Sequence, residues 1–561
     1  SPLYVGAPNR LRYPFDWDDA RQEGNQNTIE DQVSLPYRSL TGSNFLDSYA
    51  NRTPMVYVGA GDGMLHGFRA SDGREAFAFV PGSLLPALDD LTDPDYDHRF
   101  YVDGNPVVVD AVIDHDGGSA WRTVLVAGLR GGGNSMFALD VTDPTALTEA
   151  NAANVLLWEF EDADLGATFS EPSIVRLHNG RWAAVFGNGY NSSGESAVLF
   201  VVDLSDGSLI RKIDTGASPA VDGNPRFRNG LRTLRPADLD GDFITDYIYA
   251  GDLYGNLWKF DLTSTSAADW ATGFGGSPLF TARTAGGQRQ VITTEPQVGF
   301  HPYGREYGVM VYFGTGKYLE RGDNVADTSV TNSFYGIWDL DVFSFTDNPP
   351  FATSIKAIPG RARLTGQQVL SGVALDEDGQ SYRGVTQNPV PYQDGADDAE
   401  ATISGANKRG WVLDLPANSG ELIDTDATLR GRVVAFSSLV PSNDACSVGG
   451  NGFFMVVDAA TGGRTPFSAI DVNGDLTFTT ADTVSLNGET IRPSGIVFNN
   501  AVPGEAGFMI ARPQLVPDTD TGAGAAFDNA IIPFSDGTKV SRAINPGYEA
   551  DGRRSWRELR R

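Results

Sequence analysis

Apolar and polar residues alternate with period two in short runs along much of the chain, as in strands that bury one face more than the other. In NLWKFD (256–261), Leu257, Lys259 and Asp261 fall on one face, and Trp258 and Phe260 on the other. A larger pattern repeats as well. A β-rich stretch ends in glycine, a turn follows, and a second strand ends in an aromatic or aliphatic residue before Asp. The copies are VYVGAGDGMLHGFRASDG (56–73), VLVAGLRGGGNSMFALDVTDP (124–144), AVFGNGYNSSGESAVLFVVDLSDG (184–207) and DYIYAGDLYGNLWKFDL (246–262). They continue with VYFGTGKYLERGDNVADTSVTNSFYGIWDL (311–340), KRGWVLDL (408–415), and VVAFSSLV followed by GGNGFFMVVDAATGG (433–463).

These make about seven units, each with about four strand-sized segments. One such unit cannot bury both faces alone, and radial packing of several leaves few open edges. The expected fold is therefore all-β, a seven-bladed β-propeller over residues 52–561 with long irregular loop insertions. Two packed β-sandwiches are the structural rival, but they do not call for one recurring signature. Residues 1–51 read as an N-terminal extension or linker, with 8–50 draped over the surface. Residues 464–550 read as an irregular insertion, and GRRSWREL (552–559) as a strand that could close the ring.

Composition narrows the function. Charged residues are 20% of the 561, hydrophobic residues 41%, and the 65 Gly and 31 Pro disfavour long helices and coiled coils. Lys and Arg number 42 against 72 Asp and Glu, a net charge of −30, which is no footprint for nucleic acid. The acidity suits divalent cations or an extracellular setting. Cys446 is the one cysteine, so an intrachain disulfide framework and zinc sites built on several cysteines are excluded. No apolar run approaches the ~18 residues of a membrane span. The chain opens Ser-Pro-Leu-Tyr, without Met or a leader, and reads as a processed or excised piece of something larger.

The sharpest chemistry is ADLDGDFITDYIYAG. Asp238, Asp240, Asp242 and Asp246 take loop positions 1, 3, 5 and 9, with the Ile244 carbonyl at 7. Oxygens so spaced on a curling chain can converge on a hard cation that takes six to eight oxygen ligands, as Ca²⁺ does. A second loop, DVNGDLTFTTAD, puts Asp471, Asn473 and Asp475 at 1, 3 and 5, the Thr477 carbonyl at 7, Thr479 at 9 and Asp482 at 12. Its spacing is that of an EF-hand loop, but Leu476 stands where that loop has its invariant Gly, and Asp482 replaces the bidentate Glu.

Other motifs read as structural. FGTGKY (313–318) lacks the first Gly and the final Ser or Thr of a phosphate loop and is a strand and turn. His66, His98, His115, His178 and His301 have no metal spacing. Arg321, Gly322 and Asp323 spell the tripeptide read by integrins, on an inter-strand loop.

Many of these strings resemble the C-terminal domain of the PilC/PilY type IV pilus biogenesis and tip-adhesin proteins. The strings are RTPMVYVGAGDGMLHGF (52–68), RFYVDGNPVVVDA (99–111), FALDVTDP (137–144), LWEFEDADLGATFSEPSIVRL (157–177) and VFGNGYNS (185–192). DLDGDFITDYIYAGDLYGNLWKFDL (238–262), VMVYFGTGKYLE (309–320), SFYGIWD (333–339), GWVLDLP (410–416) and SWREL (555–559) follow in order. Residues 464–550 match poorly.

The resemblance implies a propeller at the pilus tip that supports pilus assembly and twitching motility. It implies a calcium site, on Asp238, Asp240, Asp242, Ile244 and Asp246, whose occupancy tunes extension against retraction. It further implies a bacterial cell-surface location, minor pilins and a host-cell or surface ligand as partners, and no enzymatic activity. Quinoprotein dehydrogenases, which hold pyrroloquinoline quinone and calcium on a propeller axis, have blades of similar pattern. Several of them cover the quinone with an adjacent Cys–Cys pair, which one cysteine cannot make, and their calcium ligands come from separate blades. A generic extracellular ligand-binding propeller is the third reading.

Overall fold

The computed structural model describes the chain apart from residues 10–12, 14–16, 18, 20–27, 41, 116, 220–227, 343–356, 393–407, 443–449, 500, 511–515, 518–523, 526 and 548–561. Cys446 and the strand expected over 552–559 lie outside the described residues. The rest groups into two compact units, one of Ser1–Leu253 with Trp258–Ser277, the other of Tyr254–Leu257 with Pro278 onward.

In the first unit, strands follow one another in antiparallel sheets of chain-order neighbours. Leu3–Val5, Met55–Gly59, Leu65–Arg69 and Glu75–Phe79 make one sheet, and Val107–His115, Gly118–Gly128, Met136–Asp140 and Leu156–Phe160 the next. Ser173–Arg176, Trp182–Gly187, Val198–Asp203 and Leu209–Asp214 make a third. The fourth runs Leu231–Ala237, Tyr247–Asp252, Asn256–Asp261 and Ala271–Thr272. All six residues of VLFVVD (198–203) are buried, so this strand is covered on both faces.

The recurring Asp and Gly of the sequence pattern have a common cause. Strand-terminal Asp140, Asp203, Asp261, Asp339 and Asp458 each accept, through Oδ1, the backbone N–H two residues on, at 2.8–3.0 Å. Where the turn is tight, a glycine four residues past the strand end donates back to that residue's carbonyl, as in Gly73 to Arg69, Gly207 to Asp203 and Gly462 to Asp458. All three glycines have φ near +70°, a conformation that costs about 1–2 kcal/mol for any residue with a Cβ.

The second unit holds Gln297–Phe300, Val309–Gly314, Ser333–Asp339 and Gly410–Asp414 in one sheet, with Thr365–Gln368 parallel at its edge. GWVLD was expected to start a unit of its own. Instead it is the fourth strand of this sheet, reached through a long excursion after Asp339. The next sheet runs Ala374–Leu375, Ser381–Arg383, Gly495–Phe498, Gly450–Asp458, Val433–Pro441 and Thr428–Arg430. Gly507–Ile510, Asp528–Pro533 and Lys539–Ile544 form a three-stranded sheet. The described residues thus hold six sheets of four or more strands, this three-stranded one and two two-stranded ones.

Two expectations are corrected. Residues 464–550 are more than an insertion. Gly495–Phe498 pairs with both Gly450–Asp458 and Ser381–Arg383, and Ile470, Ile496, Ile532 and Ile544 share a buried cluster with Phe454. Nor are the described residues of the N-terminal segment simply draped over the surface. Leu3–Val5 pairs with Met55–Gly59, and Tyr13, Trp17, Tyr37, Phe45 and Leu46 are buried against Trp121 and Trp182. Burying that much aromatic surface outweighs the polarity of the residues between.

Candidate metal centre

Strands Leu231–Ala237 and Tyr247–Asp252 are joined by the 238–246 loop, which is shaped by its own aspartates. Asp238 accepts from Gly241 N at 2.6 Å through Oδ1 and from Phe243 N at 2.9 Å through Oδ2. Asp242 Oδ1 accepts from Ile244 N at 2.8 Å. Gly241 and Phe243 both have positive φ, 87° and 71°. At the far end Asp246 donates its N–H to the Ala237 carbonyl, and its Oδ2 accepts from Leu239 N at 2.8 Å. The chain is thereby wound so that one oxygen each of Asp238, Asp240 and Asp246 lies within 4.8 Å of the others. Asp242 is outside that trio. Ile244 is buried within the loop.

The 471–482 loop repeats this winding. Asp471 accepts from Gly474 N at 2.8 Å and Leu476 N at 3.0 Å, Asn473 Oδ1 from Asp475 N at 3.1 Å, and Asp475 Oδ1 from Thr477 N at 2.7 Å. Asp482 Oδ1 accepts from Val472 N at 2.9 Å, as Asp246 does from the residue at the same loop position. The second loop is therefore the first with three residues added before its closing carboxylate. The missing glycine is explained too, because Leu476 takes the left-handed conformation itself (φ 61°), as Phe243 does. Among the described residues, its carboxylates do not gather as closely as the trio of the first loop.

Electrostatics favour a cation at the first loop. Burial, then the charges of Asp242 and Asp246, push the Asp238 carboxyl up to about 6 despite its two N–H donors. Burial and the charges of Asp246 and Asp238 do the same to Asp240. Burial also raises Asp471 and Asp482. Three converging carboxylates, two of them strained toward protonation, are a donor set that suits a hard divalent ion.

An acid whose folded value is raised holds protons that the unfolded chain, near 3.8, has released. Its penalty on the calcium-free fold therefore grows as pH rises from about 4 through 6 and persists above. Asp240→Asn should stabilise the calcium-free protein by about 1–2 kcal/mol at pH 7, after allowance for solvent screening. Urea denaturation in chelator should show that gain shrinking as the pH is lowered toward 4. An unchanged or lower stability at pH 7 would contradict the strain.

A histidine completes the surroundings. His178 has a fully buried side chain, its Nδ1 lies 2.9 Å from Asp19 Oδ2, and its Nε2 lies 3.2 Å from Asp246 Oδ1. Burial opposes its charge, but hydrogen bonds to the two carboxylates prevail and raise it to about 9. Sequence reading took His178 as structural and missed Asp19, since no local spacing links residues 159 and 68 positions apart.

The Arg-Gly-Asp tripeptide lies in the 3₁₀ turn Arg321–Asn324. Asp323 Oδ2 accepts from Leu319 N at 2.7 Å and Glu320 N at 2.9 Å and pairs with Lys317 at 3.0 Å, so its carboxylate faces its own loop. FGTGKY begins within strand Val309–Gly314, as expected.

A family model described as the PilY1 beta-propeller domain matches residues 34–348. The type IV pilus biogenesis factor PilY1 of Pseudomonas aeruginosa is 35% identical over 544 residues, covering 92% of this chain and 42% of that protein. A homolog of that factor in Xylella fastidiosa is 36% identical, covering 92% of this chain and 34% of its own length. The chain thus spans well under half the length of these curated relatives. The crystal structure of the Pseudomonas aeruginosa PilY1 C-terminal domain superposes with a TM-score of 0.66 at 33% identity, covering 90% of this chain and 95% of that one. The sheets described above are those of a β-propeller fold.

Proposed function

The chain belongs to the PilY1 β-propeller family, and on that premise we propose that it is the calcium-binding part of a type IV pilus biogenesis factor. It works without catalysis, at the pilus tip on the bacterial surface, engaging minor pilins and a surface or host-cell ligand. Calcium occupancy biases pilus extension against retraction. The relatives support the pilus role, being named as biogenesis factors. The observation that carries the calcium reading is the convergence of Asp238, Asp240 and Asp246 in one self-wound loop. Asp238, Asp240 and Asp246 would hold the ion, with Asp242 and the Ile244 carbonyl completing the set. The ion would supply positive charge that relieves carboxylate repulsion and stiffens the loop. The 471–482 loop would hold a second, weaker ion through Asp471, Asn473, Asp475, the Thr477 carbonyl and Asp482.

The test is genetic. In the bacterium that carries this chain, deletion of its gene should strip surface pili, counted by electron microscopy. Wild-type protein should restore them. Asp240→Ala protein should still reach the surface while shifting the number of pili or the twitching rate. Normal piliation in the deletion strain would overturn the pilus role, and wild-type behaviour of Asp240→Ala would overturn the calcium control.

A further inference from the structure

The N-terminal segment reaches the 238–246 loop at three places, one direct and two through a relaying side chain. The first is the buried chain Asp19–His178–Asp246, in which one imidazole bridges the segment to the closing carboxylate of the loop. The second is Phe243, whose ring lies 6.0 Å from that of Tyr13 and 6.3 Å from that of Trp17. The third is Arg176. Its carbonyl accepts from Thr245 N at 2.9 Å, its Nε donates to Glu30 Oε1 at 2.7 Å, and its guanidinium lies 5.7 Å from the Trp17 ring. One direct contact, at 243, and two relayed through Arg176 and His178, at 245 and 246, are more than chain connectivity requires, because the segment is over 200 residues from the loop in sequence.

We propose that Tyr13, Trp17, Asp19 and Glu30 form a clamp that positions the cation loop, with Asp19 and His178 as positioning residues for Asp246. This rests on the calcium reading of that loop. A carboxylate that ligates a metal is aimed by its own hydrogen-bond partners, and loss of such outer partners typically weakens metal affinity 10–100-fold. Asp246 Oδ2 is fixed by Leu239 N, and His178 faces Oδ1. Asp19 in turn sets the orientation of the imidazole. Phe243 sits at the left-handed position of the loop, where the Tyr13 and Trp17 rings brace a conformation that its side chain does not favour. Because coupling between two equilibria is reciprocal, calcium must tighten the docking of the segment as much as the docked segment tightens calcium. The ion's presence is thereby reported to the segment that links strands Leu3–Val5 and Met55–Gly59.

The experiment pairs calcium titration calorimetry with hydrogen exchange on the whole 561-residue chain. Asp19→Ala should weaken calcium binding at this loop 10–100-fold. Asp19→Asn, which keeps an acceptor for the imidazole, should recover most of the affinity. In the wild-type protein, calcium should slow amide exchange in peptides from the N-terminal segment as well as in the loop, a readout that stands even where Asp19→Ala fails to fold. Wild-type affinity in folded Asp19→Ala, or calcium protection confined to the loop, would overturn the clamp while leaving the calcium site standing. No calcium uptake by the wild-type protein would overturn both.

Discussion

Replacing Glu30 by alanine is expected to cost the protein about 3–5 kcal/mol of stability, enough to unfold a marginal unit at room temperature. Glu30 Oε1 accepts from Arg176 Nε and from Trp182 Nε1, both at 2.7 Å. The side chains of Glu30 and Arg176 are 0% and 2% exposed. Without the carboxylate, a guanidinium is left charged and dry beside Trp17, in the aromatic cluster that also holds Trp121 and Trp182. Urea denaturation followed by tryptophan fluorescence gives the measurement. The double variant Glu30→Leu with Arg176→Met should recover much of the loss, because removing both charges removes the uncompensated one. A loss below about 1 kcal/mol in Glu30→Ala, the usual size for an exposed pair, would mean that the N-terminal segment is an appendage after all.

The second large effect is calcium-dependent stability. Calcium at about 100 times its dissociation constant should add roughly 2.7 kcal/mol, provided that the ion binds the folded state alone. The physical source is the first loop, where carboxylates held near one another in the calcium-free protein repel until a divalent charge is placed between them. Thermal melts in chelator and in calcium should differ accordingly. Asp240→Ala should erase most of the difference, since it removes one of the three converging oxygens without touching the Asp238 hydrogen bonds that wind the loop. Magnesium should substitute poorly, because its small octahedral shell is hard to fill from a loop of this span. A calcium increment unchanged in Asp240→Ala would place the stabilising ion elsewhere.

The features legible in the sequence are those whose causes are local. Asp203 and Gly207 close a turn between consecutive strands, so their spacing repeats wherever that turn does. The winding of the 238–246 loop is also local. Asp238, Asp240 and Asp242 each accept an N–H two to five residues on, and the alternation of acidic residues shows in six letters. What stayed hidden depends on distant partners. Tyr13 donates to the Asp110 carbonyl across 97 residues, and Glu30 meets Arg176 across 146. Nothing in the polar text of residues 8–50 marks Tyr13 and Trp17 as core. Strand Gly495–Phe498 was missed for the same reason, being four residues long and paired with Ser381–Arg383 more than a hundred positions earlier. Asp242 occupies the expected loop position, with its Oδ1 accepting from Ile244 N, and lies outside the trio that gathers within 4.8 Å.

Calorimetric titration with calcium, wild type beside Asp240→Ala, tests the central claim most directly. The expected result is saturable calcium binding to the wild-type protein and, in folded Asp240→Ala, loss of the tightest site by a factor of about 100 or more, roughly 2.7 kcal/mol of binding free energy. Wild-type stoichiometry and affinity in Asp240→Ala would mean that the 238–246 loop is an acidic turn and not a calcium site.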